Sequence, residues 1–463
     1  MPDIRVHDGS AFEAYADVVI VGAGAGGLIA ALRAKAAGAG VLVLERDAVP
    51  RGSTALSAGL IPAAGTRFQK AANILDSEEI FVGDILRKAH GEPEAARVAI
   101  PVRAVAPAIE WLAERYDLPF SVIENFTYPG HSAYRMHGLP SRSGLELMDR
   151  LRAAAERADI DIITEAQVTT LLTGEGGRIA GVELARPDGT RDSIGCKALI
   201  LACNGYGGNK ALVAQHIPEL ATALYFGHPG NQGEAILWGQ ALGAQTADLS
   251  GHQGHGSVAE PHGILITWAS MVEGGFQVNR QGKRFSDESH GYSEHAATVL
   301  KQEGGIAWSI FDARIAEIAR QFEDFRNAEA QGAVLTAQTP EALALRISVP
   351  ADALAATFEA VEAAKASGVT DSFGRKWAGI KPLEAPYCAV KVTGALFHTQ
   401  GGLAVNAEAR VLRPDGTALP NLFAVGGAAH GVSGSQASGY LSGNGLLTAF
   451  AYGYLAGEAA AKL

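Results

Sequence analysis

Residues 16–47, ADVVIVGAGAGGLIAALRAKAAGAGVLVLERD, leave this chain few folds to choose from. The apolar run at 18–21 reads as a buried strand. Gly22, Gly24 and Gly27 follow in G-x-G-x-x-G register, an alanine-rich helix comes next, and a second apolar strand ends at Glu45. Each glycine has its own reason: Gly22 permits a tight turn, Gly24 lets backbone approach a pyrophosphate, and Gly27 lets the helix lie close to the strand. Amides at the helix start then face the phosphates, and Glu45 is placed to accept from a ribose hydroxyl. The reading is an adenine-dinucleotide fold, with Gly22, Gly24, Gly26, Gly27, Glu45 and Arg46 as candidate cofactor contacts.

Which dinucleotide follows from the far end of the chain. A domain for NAD normally closes within about 150 residues. Here a second nucleotide-like stretch lies near the C-terminus, where the strand-like 422–425 runs into Gly426 and Gly427 and GNGLLTAFAYG (443–453) opens a small-residue helix. Two distant segments closing on one long cofactor predict FAD, with the adenine end at the N-terminal fold and the flavin end near Asn444 and Leu446. The strand-like KALILACNGYGG (197–208), carrying Asn204 and Gly205, is expected to pack between them.

Composition narrows the partner. With 463 residues, 48% of them hydrophobic, the chain is long enough for two domains and a large core. The net charge is -11, and Lys and Arg are dispersed apart from a short cluster at 280–284, so nucleic acid is not an expected partner and a small molecule is. The first residues carry acidic groups and no uninterrupted apolar core, and no window of about 18 apolar residues follows, so a cytoplasmic protein without a membrane span is expected. Cys196, Cys203 and Cys388 form no C-x-x-C, which argues against an iron–sulfur or zinc site and for a reducing compartment. His252 and His255 have H-x-x-H spacing but no evident third ligand, so no metal is expected.

Six segments occurring in one order resemble the flavoprotein family of soluble fumarate reductases and 3-ketosteroid Δ1-dehydrogenases. They are VGAGAGG with Glu45, RGSTALSAG (51–59), ALILACNGYGGN (198–209), GGFQVNRQGKRFSDES (274–289), HTQGGLAVN (398–406), and LFAVGG with GNGLLTAFAYG. The resemblance implies an α/β protein in which a Rossmann-like FAD-binding domain is assembled from both chain ends, 1–254 and 390–463, with an inserted α+β capping domain at 255–389. The stretch 301–385, rich in helix formers, suits such a lid. Respiratory relatives attach FAD through a histidine in the segment matching RGSTALSAG. Ser53 and Thr54 stand there, so noncovalent FAD is expected, with Ser53, Thr54, Ser57 and Gly59 near it; helix capping is the competing role for the hydroxyls.

The resemblance also sorts the chemistry. Fumarate reductases place one arginine after R-F-x-x-E and another before L-G-G-N; here the matching places hold Tyr292 and Tyr440. A carboxylate clamp needs a guanidinium fork, which a phenol does not replace. Ketosteroid dehydrogenases carry tyrosines in both places, so Tyr292 is expected to accept a proton α to a ketone, while Tyr440 and a glycine N–H, that of Gly443, hold the ketone oxygen. A phenol is a poor base at neutral pH, and His290, His295 and Arg284 are the local candidates to tune Tyr292. His255 and His398 point the other way, matching substrate histidines of the reductases; His398 binds a carbonyl or carboxylate, or orients Tyr440. In the polar loop 125–151, Tyr134 or Tyr128 is the candidate supporting tyrosine, and Arg135 and Arg142 are candidate carboxylate ligands, with pyrophosphate contact and capping as alternatives. The expected activity is an FAD-dependent desaturase acting beside a carbonyl of a cyclic ketone or keto acid. The alternatives are a reductase of an unsaturated acid and a non-catalytic electron-transfer subunit. The electron acceptor is not legible.

Overall fold

A computed structural model of the chain describes residues 3–124 and 126–463. It divides into two compact units, Met1–Ile217 with Gly227–His252 and His398–Leu463, and Pro218–Phe226 with Gln253–Phe397.

The first unit is built on a nine-stranded sheet. Strand Ala14–Val21 pairs in parallel with Val41–Leu44 on one side and with Arg191–Leu201 on the other. The late strand Ala418–Ala424 adds in parallel beyond Arg191–Leu201, Leu199 against Leu422 and Leu201 against Ala424, so both ends of the chain share one sheet. Val18, Val19 and Ile20 are fully buried, as a parallel strand covered on both faces requires, at about 1.5–3 kcal/mol for each large apolar side chain. Helix Ala25–Ala36 packs on the C-terminal helix Asn444–Ala460. Their approach is set by small residues: a Cβ on Gly453 would lie 2.6 Å from the Gly26 carbonyl oxygen, and one on Gly457 2.3 Å from that of Ala30.

The second unit centres on a 13-residue strand, Tyr387–Thr399, antiparallel to Ile306–Asp312 and Val334–Ala337 and parallel to Leu224–Tyr225. Helices including Ala313–Ala319, Glu323–Ala330, Pro340–Ile347 and Ala351–Ser367 accompany a core of Phe276, Phe311, Phe325, Phe358 and Trp377. One departure from the sequence reading has a physical cause. The return to the first unit comes at His398 and not at 390, because the long strand belongs to the second unit's sheet for most of its length. Strands Ile306–Asp312 and Val334–Ala337 lie among these helices, as an α+β insert requires, in runs too short for periodicity to separate from the helices around them. Among the described residues no helix is long and apolar enough to cross a membrane.

Candidate active site

The glycine turn of the first unit has the geometry a dinucleotide needs. Gly22 has φ +105°, and a Cβ there would meet the Ala202 carbonyl oxygen at 2.6 Å; a Cβ on Gly27 would fall 2.0 Å from the Gly22 oxygen. Gly24 is different: the nearest atom to its added Cβ is Thr54 Oγ1 at 3.9 Å, so the chain leaves space there. Thr54 Oγ1 also accepts from the Ala25 amide at 3.4 Å, which sets a hydroxyl at the start of the first helix. Ser53 Oγ accepts from the His228 amide and the Asn231 side chain and keeps its own proton to donate. Ser57 closes its turn, donating to the Thr54 carbonyl and accepting from the Gly59 amide, which is the local capping role. Glu45 accepts from the Ala23 and Asp47 amides, riveting the second strand's end to the turn, and Arg46 donates to the Gly230 carbonyl.

At the other end of the first unit, the start of the C-terminal helix gathers neutral donors. Tyr440 is 6% exposed, and burial raises its pKa, while the amides of Gly445 and Gly443 lie against its oxygen. Burial outweighs these two N–H groups, so the phenol stays protonated, with its oxygen accepting from amides at the helix start. His398 lies close by, since a Cβ on Gly445 would be 3.8 Å from both its Cε1 and the Tyr440 hydroxyl. Gln400 Nε2 is 2.8 Å from His398 Nδ1, and burial takes the imidazole down to about 4, so it is neutral at pH 7. Asn204, at φ +66°, accepts from the Gly205 N–H through its side-chain oxygen at 2.9 Å, and that oxygen lies where a Cβ on Gly427 would sit. Gly426, at φ +58°, forms the turn before it. Leu446 is half-buried on the first turn of the helix.

Three sequence expectations change. Arg135 is fully buried, paired with Asp76 through two nitrogens at 2.9 and 3.0 Å and with Asp84 at 2.5 Å, so it is no carboxylate ligand for substrate. It instead donates to His131 Nδ1, whose Nε2 meets the Ser442 carbonyl at 3.0 Å, and so braces the loop carrying Tyr440. Tyr134 is 41% exposed, whereas Tyr128 packs on Leu60, Ile123 and Met136 and adds to the burial that raises the pKa of Tyr440, so of the two candidates it is the one that lies toward Tyr440. Arg142 is exposed in a turn at φ +50°. Gly445 was missed by sequence reading; the signal was the second glycine of S-G-N-G.

In the second unit, Tyr292 opens helix Tyr292–Leu300 after Gly291 at φ +148°. Its ring stacks on His255 with centroids 4.8 Å apart. His255 Nδ1 accepts from the Ser257 amide at 3.1 Å, which leaves the proton on Nε2, and burial, then His295, lower its pKa to about 3. The three expected tuners of Tyr292 have partners of their own: Arg284 holds Glu288 and Asp371, His295 Nε2 meets Gln277 Oε1 at 2.9 Å, and His290 is largely exposed beside Asp287. A cavity of about 520 Å³ in this unit, lined by Glu341, Asp352, Glu359, Glu362 and Tyr387, contains none of these residues. Among the described residues no cluster of His, Cys, Asp and Glu is arranged to hold a metal.

Four buried histidines and the half-buried His398 give a measurable signature. His131, His137, His295 and His398 are lowered to about 4 and His255 to about 3, in each case chiefly by burial. In the unfolded chain they take up protons below about 6.5, but the folded protein does not until about pH 4. Stability is therefore complete above 6.5 and is lost as pH falls toward 4. The melting temperature should drop by roughly 10 °C between pH 7 and 4.5; a flat profile across that window would show these imidazoles to be solvated.

A turn with space at Gly24, a helix start with paired amides, and a fully buried Asn444 Oδ1 with no partner fit a dinucleotide with a long polar body. These features define a dinucleotide-binding protein. The chain belongs to the family described as FAD binding domain, which matches residues 17–446. It is 30% identical to a protein described as a probable fumarate reductase of Shewanella frigidimarina, across 96% of this chain and 74% of that one. It is 26% identical to 4-oxocyclohexanecarboxylate 2-dehydrogenase of Sinomonas cyclohexanicum, across 96% of this chain and 92% of that one. The crystal structure of 3-ketosteroid Δ4-(5α)-dehydrogenase from Rhodococcus jostii, in complex with 4-androstene-3,17-dione, superposes with a TM-score of 0.79 at 26% identity, covering the whole of both chains. The protein is an FAD-dependent oxidoreductase with small-molecule-acting relatives, as the sequence predicts.

Proposed function

We propose that this protein desaturates a cyclic ketone or keto acid beside its carbonyl, with FAD held noncovalently. The observation that carries the reading is the charge state of the donors beside the C-terminal helix start: Tyr440 is held protonated, and His398 close to it is held neutral by burial. Neutral O–H and N–H groups suit a ketone that becomes an enolate, since each donor strengthens as charge develops on oxygen, by about 3–4 kcal/mol where well placed. A dicarboxylate brings two charges that such a set leaves uncompensated.

On this reading Tyr440, with the Gly443 or Gly445 amide, donates to the ketone oxygen. Tyr292 accepts the α-proton, and the C=C forms as the β-hydrogen leaves with its electron pair. FAD, when bound, supplies the acceptor for that pair. The named substrates of the Sinomonas and Rhodococcus proteins, a ring ketone bearing a carboxylate and a ketosteroid, support this class. A second reading, reduction of an unsaturated acid, is supported by the Shewanella relative and by the histidines at 255 and 398. Phenol binding tests the oxygen site: a substituted phenol should perturb the flavin spectrum of the wild type, and Tyr440→Phe should weaken that binding roughly tenfold for one lost buried hydrogen bond. Unchanged affinity in the variant would place the phenol, and the ketone oxygen, elsewhere.

A further inference from the structure

The partnerless Asn444 oxygen is one end of a hydrogen-bond chain. Asn444 Nδ2 donates to Ser433 Oγ at 2.9 Å, Ser433 Oγ donates to Gln400 Oε1 at 2.8 Å, and Gln400 Nε2 lies 2.8 Å from His398 Nδ1. All three relay residues are buried, at 0, 0 and 3% exposure, and Gln400 is pinned through its own backbone to Gly251 and Gly431. Every member is a hydroxyl or a carboxamide, so the chain can run in either of two directions, and direction decides which nitrogen of His398 carries the proton. Run as found, Gln400 donates to Nδ1 and leaves Nε2–H as a donor. Run in reverse, Gln400 accepts from Nδ1–H and Nε2 becomes an acceptor.

We propose that bound FAD sets the direction of this relay, and through it the tautomer of His398. Asn444 Oδ1 is buried without a partner and takes a hydrogen bond from an N–H or O–H of the dinucleotide. That bond commits Nδ2 to Ser433, Ser433 to Gln400, and Gln400 to His398 Nδ1. Ser433 and Gln400 are thus positioning residues for a His398 that offers Nε2–H to a substrate oxygen. The functional consequence rests on the ketone reading, but the tautomer does not, because a carboxylate oxygen would meet the same donor.

The test is ¹⁵N NMR of the histidine rings in holoprotein and in protein stripped of FAD, with His398 assigned by its loss in His398→Gln. The holoprotein should show His398 protonated on Nε2, and removal of FAD should leave a mixture of tautomers. Asn444→Asp offers Ser433 only acceptors, so the relay reverses and the Nε2–H signal should be lost in favour of Nδ1–H. Ser433→Ala cuts the relay without touching the asparagine and should give the mixture even with FAD bound. Three results would overturn the proposal: an Nδ1–H His398 in the wild-type holoprotein, an unchanged single tautomer after FAD removal, or Nε2–H retained in both variants. A failure of the ketone reading is seen separately, in substrate turnover, and would leave these spectra unaltered.

Discussion

Tyr292→Phe is expected to fold and to hold FAD as the wild type does, yet to lose most of its rate of flavin reduction by substrate. The span for a lost general base is about 10²–10⁴. The loss should fall on the chemical step under anaerobic single turnover, with substrate affinity little changed, because in the proposed reaction the phenol oxygen acts on the α-proton and its removal leaves the stacking on His255 in place. The imidazole stacked on it does not substitute for it as a base, because His255 has its Nδ1 lone pair on the Ser257 amide. Wild-type reduction rates in the variant would remove Tyr292 from the chemistry.

Gly24→Val should separate cofactor binding from folding. A Cβ at Gly24 has nothing nearer than Thr54 Oγ1 at 3.9 Å, so the polypeptide tolerates the side chain, but the added methyls occupy the space read as the pyrophosphate's. FAD affinity should fall at least about a hundredfold, the scale set by losing close backbone contact to the phosphates, while circular dichroism stays native. Gly27→Val is the contrasting case. Its Cβ would sit 2.0 Å from the Gly22 oxygen, so that variant should fail to fold. Normal FAD occupancy in Gly24→Val would put the phosphates somewhere other than this turn.

The three glycines show why part of the molecule was legible in sequence. Turn, approach and packing are backbone demands, local in the chain, and they leave glycine at fixed spacing. The joining of both chain ends in one sheet was legible for a similar reason, since 422–425 carries its own apolar run and its own glycine turn. Arg135 was not. Its partners, Asp76 and Asp84, lie far back in the sequence with nothing to distinguish them from solvated acids, so a buried ion pair looked like a free ligand in a polar loop. Tyr128 and Tyr134 differ only in which one the loop turns inward, and that is decided by packing on Leu60, Ile123 and Met136. The relay from Asn444 to His398 joins residues from three separated segments whose types are common everywhere, and only their juxtaposition gives them meaning.

Substrate choice bears most directly on the ketone account. Purified holoprotein, kept anaerobic, is mixed with cyclohexanones, ring keto acids and 3-ketosteroids in turn, and the flavin absorbance is followed; the reduced protein is then mixed with fumarate. The account predicts bleaching of the flavin by at least one saturated ring ketone, slowed in both Tyr292→Phe and Tyr440→Phe, and no reoxidation by fumarate. Rapid reoxidation by fumarate, lost in His398→Ala and indifferent to Tyr440→Phe, would contradict it and make the protein a reductase of unsaturated acids.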